Sequence, residues 1–345
     1  MVIAMANKTV QKFCLLGAAA VLLLCILLKS WDSGAAAVTP NTALIRCNAD
    51  TAPSVMYGDG PQMKMWWSSN TNGSGIYYTA NQDTPIKVLE ASASGWDSFR
   101  ICNPSVIKGS FYTNGQAYTY AMYYTGIAEE NENSSHIGAA FSNNGIDWDK
   151  YAENPVISSD NIDTDHFGVG LPSVCISAGG QITMLYFDSA AGKYYTAVSA
   201  DGINFTEKTP LENPPEDENS TDIAYSQTEG KWYITTQSNT SAEIHIYETV
   251  GSSLANAWKP KATLPQTASD KQKNQSPRWM RYPNGAIYVE PDSGYQYIYH
   301  GNTQNSARSV YTASWEFTAN GDRQGWEAIN ITKDTGPVEG FWTFI

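Results

Sequence analysis

Asn103-Pro104-Ser105-Val106-Ile107 decides how this chain is read, because the same words return along the sequence. Ala52-Pro53-Ser54-Val55 comes 51 residues earlier and Leu171-Pro172-Ser173-Val174 comes 68 residues later. Ser276-Pro277-Arg278-Trp279 is a fainter copy. Thr221-Asp222-Ile223-Ala224 lacks the proline but falls at the expected interval. Recurrence on a period of this size marks a repeat architecture. An aromatic run follows each copy: Lys64-Met65-Trp66-Trp67, Tyr120-Ala121-Met122-Tyr123-Tyr124, Thr183-Met184-Leu185-Tyr186-Phe187, Lys231-Trp232-Tyr233-Ile234 and Tyr297-Ile298-Tyr299-His300. Runs of β-branched and aromatic residues bounded by Gly and Asn read as strands.

A third word recurs at an offset of 57: Ala140-Phe141-Ser142-Asn143-Asn144-Gly145-Ile146-Asp147-Trp148 against Ala197-Val198-Ser199-Ala200-Asp201-Gly202-Ile203-Asn204-Phe205. Asn-Gly and Asp-Gly predict type I′ hairpins, in which both central residues need positive φ. The aromatic after each turn is expected to open an outer strand that packs on the next sheet. The 11-residue difference between the offsets 68 and 57 predicts an insertion in the second unit, within Gly109–Tyr118 or Glu129–Ser135.

Each unit thus reads as strand, strand, hairpin, strand. One such sheet cannot bury both faces, whereas five arranged radially can. The expected fold is all-β: a five-bladed β-propeller over residues 44–335, with blades near 44–98, 99–160, 161–213, 214–270 and 271–335. Residues 336–345 form a C-terminal tail.

Phe13 to Leu28 is an unbroken apolar run of 16 residues, preceded by Lys8 and Lys12 and followed by Lys29. Its length lies between a signal-peptide core and a full membrane span. Residues 1–37, ending at Ala35-Ala36-Ala37, therefore read as a signal peptide or a helical membrane anchor through 13–28. Either exports the rest of the chain. Cys47, Cys102 and Cys175 would then meet an oxidising compartment, where Cys47 could pair with Cys102 or all three could be buried thiols. No spacing of Cys or His suggests a metal, and no cofactor is implied. The formal net charge of −13 argues against nucleic acid, whose phosphates would repel it, and is compatible with a carbohydrate polymer.

The repeats resemble those of the five-bladed propeller glycoside hydrolases, the family 43 arabinanases and xylosidases with the related families 32, 62 and 68. The second unit carries the likeness best, in Asn103-Pro104-Ser105-Val106-Ile107, Tyr123-Tyr124-Thr125-Gly126, Ile137-Gly138-Ala139-Ala140 and Gly145-Ile146-Asp147-Trp148. Gly168-Val169-Gly170-Leu171-Pro172-Ser173-Val174 extends it into the third. The resemblance implies a funnel on the central axis, into which the residue before Pro-Ser-Val points. Such enzymes carry Asp there in early blades and Glu on the third.

Breaking a glycosidic bond takes two carboxyl groups, one giving a proton and one activating water or attacking carbon. The aligned residues here are Ala52, Asn103, Leu171, Asp222 and Ser276, so only Asp222 is an acid. Asp222 is the expected catalytic residue, with Asp50 or Asp165 as its partner. Asn103, His166, Arg278, Trp279 and Glu290 are the expected substrate-binding residues. Arg278 matches a planar anion or a sugar hydroxyl, and equally an inter-blade salt bridge. Two functions follow: a hydrolase for arabinose-, xylose- or fructose-containing glycans, or a catalytically silent propeller that binds polysaccharide at the cell surface.

Overall fold

The computed structural model describes residues 43–46, 51–60, 63–69, 75–80, 85–129, 134–159, 167–177, 179–211, 218–227, 229–238, 244–264, 274–288, 295–304 and 307–316. The expected leader, 1–37, and tail, 336–345, lie outside them. The described residues form strands and turns without a helix. β1 (Ala43–Arg46) comes first. The first repeat then gives β2 (Thr51–Met56), β3 (Lys64–Ser69), β4 (Gly75–Ala80) and β5 (Ile86–Glu90). The second gives β6 (Arg100–Thr113), β7 (Gln116–Ile127), β8 (Ser135–Ser142) and β9 (Asp149–Lys150). The third gives β10 (Val169–Ile176), β11 (Ile182–Asp188), β12 (Lys193–Ser199) and β13 (Thr206–Pro210). The fourth gives β14 (Glu218–Ser226), β15 (Lys231–Ser238), β16 (Ile244–Thr249) and β17 (Trp258–Leu264). The last gives β18 (Asn274–Arg281), β19 (Tyr295–Gln304) and β20 (Ala307–Glu316).

These strands make an all-β propeller. Its hydrogen-bonded sheets number four among the described residues, not the expected five. Three are four-stranded, from the second, third and fourth repeats, and the other runs β1-β20-β19-β18-β2-β3-β4-β5. The first and last repeats merge because β18 and β2 pair in parallel, Met280 with Val55 and Arg281 with Met56. β2, β6, β10, β14 and β18 contact one another in a ring, so they are the innermost strands.

Alternate residues of the second strands face opposite neighbours, as strand geometry demands. Tyr124 packs with Trp66 and Ile76 of the first repeat, and Tyr123 packs with Val174 and Met184 of the third. Leu185 meets Ile223 and Ile234, and Tyr233 meets Trp279 and Ile298. The second, third and fourth sheets are therefore each buried on both faces, which explains their aromatic runs.

The recurring turns differ from expectation in two ways. Gly145 and Gly202 have positive φ (76° and 84°), but Asn144 and Asp201 do not, so the turns are not type I′. Instead Asn144 Oδ1 accepts the N–H groups of Ile146 and Asp147, and Asp201 Oδ1 accepts those of Ile203 and Asn204. The following aromatics also pack backward: Trp148 against Trp66, and Phe205 against Tyr123. The turn carbonyls join the same contacts. Trp66 Nε1 donates to Gly145 O and Tyr123 Oη to Gly202 O, both at 2.8 Å. The offset of 57 is the spacing of this inter-sheet clasp.

The turn from Tyr282 to Tyr288 closes one end of the axis. Lys108 N donates to Pro283 O, Ile176 N to Asn284 O, and Ile287 N to Tyr225 O. These partners lie in the second halves of β6 and β14 and at the end of β10, so the starts of the inner strands lie at the opposite end.

Candidate functional site

All five inner strands change register at the same place: between Thr51 and Ser54, Cys102 and Ser105, Gly170 and Ser173, Asn219 and Asp222, and Gln275 and Arg278. Ala52, Asn103 and Leu171 sit at this bulge with left-handed backbones, φ 50°, 54° and 59°. That region suits Asn but disfavours Ala and Leu, at about 1–3 kcal/mol each. Side chains of the preceding sheet hold the bulges: Asn103 N donates to Ser68 Oγ at 2.7 Å, and Leu171 N to Thr125 Oγ1 at 3.0 Å. Of these, Asn103 and Leu171 are partly exposed and mark the mouth of the axis, whereas Ala52 is buried.

The bulges correct the placement of Asp222. Its register partner is Thr235, as Ser173 pairs Leu185 and Ser105 pairs Tyr123. Asp222 therefore matches the serine of Pro-Ser-Val, not the residue before the proline. The residue matching Ala52, Asn103, Leu171 and Ser276 is Ser220, so the mouth positions of the five strands carry no carboxylate.

The serines have a shared task. Ser54 Oγ accepts Val106 N at 3.0 Å, Ser105 Oγ accepts Val174 N at 3.0 Å, and Ser173 Oγ accepts Ile223 N at 2.9 Å. Asp222 Oδ2 accepts Trp279 N at 2.8 Å. Each inner strand thus caps one backbone donor of the next. At the fifth place stands Arg278, and a guanidinium has no acceptor to offer. There the backbones of β18 and β2 pair directly, which accounts for the merged sheet.

Asp222 is 0% exposed and fully engaged. Besides Trp279 N, it accepts Ser173 Oγ at 2.7 Å and Arg278 Nη1 at 3.1 Å, and Arg281 Nη2 also donates to it. Arg281 reaches further, to Val174 O at 2.6 Å and Ile223 O at 2.7 Å. Burial opposes ionisation of Asp222, but Arg281 and Arg278 outweigh it and hold the carboxyl below the usual range. This charged acceptor is a buried tie between three repeats, holding Ser173 of the third and Arg278, Trp279 and Arg281 of the last. Arg278 realises the inter-blade salt bridge. Trp279 is 0% exposed and packs with Tyr233.

Asp50, Asp165, His166 and Glu290 lie outside the described residues, as does Cys47. Asn103 sits at the bulge of β6, partly exposed, with Nδ2 donating to Cys102 Sγ at 3.3 Å. Sequence reasoning missed Arg281 as the principal partner of Asp222, and missed Ser68 and Thr125 as bulge supports. The recurring serine of Pro-Ser-Val was visible, but its oxygen's role as a cap was not. Chemically, the described mouth offers an amide and an apolar side chain, Leu171. It can exchange hydrogen bonds with neutral hydroxyls.

No family model matches the chain, and no curated protein matches it. Solved structures do match over most of its length. The α-L-arabinofuranosidase from Lactobacillus brevis is 11% identical with a TM-score of 0.59, covering 86% of this chain and 98% of its own. The GH43_1 enzyme from Xanthomonas citri is 11% identical with a TM-score of 0.58, covering 85% and 95%. A GH43 β-1,3-galactosidase with galactodeoxynojirimycin is 11% identical with a TM-score of 0.55, covering 84% and 99%. The chain shares the propeller fold of these solved structures.

Proposed function

We propose that this protein is a carbohydrate-binding propeller whose ligand sits at the mouth formed by Asn103 and Leu171, where the described residues supply no carboxylate. The observation that carries this reading is the register of Asp222, which removes the one aligned carboxylate from the mouth and locks it between Arg278 and Arg281. Support for a glycan ligand comes from the solved structures of this fold, among them a Xanthomonas citri enzyme complexed with xylotriose. Fold likeness does not transfer activity, so the ligand class is argued from the site. An uncharged amide beside an aliphatic side chain fits sugar hydroxyls and C–H faces.

We also read the eight-stranded sheet as two blades fused at β18 and β2, which makes five in all. The five equivalent bulges support this. The lysine-flanked apolar run 13–28 supports export, by a cleaved leader or an anchor, with the propeller outside the cytoplasm.

A second reading is hydrolysis with Asp50 and Asp165 as the pair; the matching solved structures, which are enzymes, favour it. Calorimetric titration with arabino-, xylo- and β-1,3-galacto-oligosaccharides tests the primary reading. Saturable binding to one of them, weakened at least severalfold in Asn103→Ala, is the expected result. Wild-type affinity in that variant moves the site away from the mouth.

A further inference from the structure

The second repeat carries about half of the predicted insertion as a longer hairpin, β6 and β7 continuing through Gly109–Tyr118 beyond their neighbours, and the rest falls between β7 and β8. A second register shift, between Lys108 and Phe111, starts the extension. Its two faces differ. Phe111, Thr113 and Tyr118 turn inward, and Phe111 packs on Phe141. Ser110, Tyr112 and Ala117 turn to solvent, and Tyr112 is 72% exposed, the most of any large hydrophobic side chain described.

Tyr112 lies along its own hairpin. Its hydroxyl donates to Gly115 O at 3.4 Å, across the turn of the hairpin. The turn itself is fixed to the neighbouring strand end. Asn114 Nδ2 donates to Lys150 O and Ala152 N donates to Asn114 Oδ1, both at 3.1 Å. Beside the ring, Ala117 is small, and Thr119 and Asn143 are hydrogen-bonded to each other at 2.9 Å.

Residues 109–119 include no charged side chain, in a chain whose formal charge is −13. An acidic polymer would be repelled by the whole, and the carboxylate bonded to the hairpin, Asp149, already accepts Tyr118 Oη at 2.8 Å and Gln116 Nε2 at 3.2 Å. Aromatic, hydroxyl and amide groups on a rigid, neutral platform match a neutral saccharide, whose C–H face stacks on a ring while its hydroxyls meet polar flanks. We propose that the outer face of the Gly109–Thr119 hairpin, centred on Tyr112, is a second contact site for a neutral polysaccharide. It rests on the carbohydrate reading of the mouth and adds a remote subsite: β6 runs from Asn103 at the mouth to Thr113 at the far end of the axis.

A ligand long enough to touch both places gains avidity from the second. The test compares arabinan, xylan and β-1,3-galactan polymers with the corresponding trisaccharides, using affinity electrophoresis and titration on the full chain. Tyr112→Ala is expected to weaken polymer binding about three- to tenfold and leave trisaccharide binding unchanged. Tyr112→Phe, which keeps the ring, is expected to bind polymer nearly as wild type. Because Tyr112 is exposed, both variants should keep the wild-type melting midpoint. Wild-type polymer affinity in Tyr112→Ala overturns the subsite while leaving the mouth reading intact. A dimer that dissociates in Tyr112→Ala, with polymer affinity unchanged, also overturns it. Failure of the wild type to bind any polymer or trisaccharide sinks both readings together.

Discussion

Trp279 gives its backbone N–H to Asp222 Oδ2 at 2.8 Å, in the place where Ser54, Ser105 and Ser173 accept Val106, Val174 and Ile223. Asp222 is therefore the fourth member of a structural series, and its charge is balanced by Arg278 and Arg281. Removing one partner of a buried ion pair leaves an uncompensated charge, which costs about 3–5 kcal/mol. Asp222→Asn should lower unfolding free energy by that amount, read from urea titrations at neutral pH. A midpoint equal to wild type would contradict the structural role.

The same carboxylates set the acid limit of stability. Burial raises the pKa of Asp59, but hydrogen bonds from Lys108, Lys64 and Tyr120 bring it to about 2. Burial likewise opposes Asp201 and Glu248, yet each is brought to about 2, by the turn donors around Asn204 and by Lys259 and Lys261 respectively. Asp222 is lowered too. A folded pKa below the unfolded value, about 4 for Asp and Glu, adds stability above that value and loses it as pH falls through the folded one. Stability should be flat from pH 7 to about 5 and decline steeply between about pH 4 and 2. Asp201→Asn should reduce the steepness of that decline. Equal urea midpoints at pH 3 and pH 7 would refute the assignment.

The inter-sheet clasp predicts a graded pair of effects. Tyr123→Phe deletes one buried hydrogen bond, from Tyr123 Oη to Gly202 O, and should cost about 1 kcal/mol. Gly202→Ala should cost more. Its φ is +84°, and an added Cβ would lie 2.9 Å from Tyr123 Oη and 3.0 Å from Phe111. Thermal midpoints of the two variants check the order; the reverse order would show that the turn relaxes.

Much of the fold was legible because its repeated words encode local geometry. Pro-Ser-Val marks the bulge and cap, and Asn-Gly or Asp-Gly marks the clasp turn. The fourth copy, Thr221-Asp222-Ile223, replaces both the proline and the serine, so nothing in it fixed the alignment. A slip of two residues preserves strand alternation, and hydrophobic pattern cannot detect it. That slip put Asp222 in the mouth. The merged first and last repeats were equally hidden: the substitution of Arg278 for a serine is visible, but its effect on backbone pairing depends on which strands become neighbours. Asn103 was legible because its position follows directly from an intact Pro-Ser-Val.

The most direct test of the account is to incubate the protein with arabino-, xylo- and β-1,3-galacto-oligosaccharides and measure bound ligand and new reducing ends in the same sample. The account predicts bound ligand, less of it in Asn103→Ala, and no new reducing ends. Reducing ends that form with wild type and disappear in Asp50→Asn or Asp165→Asn would contradict it and establish hydrolysis.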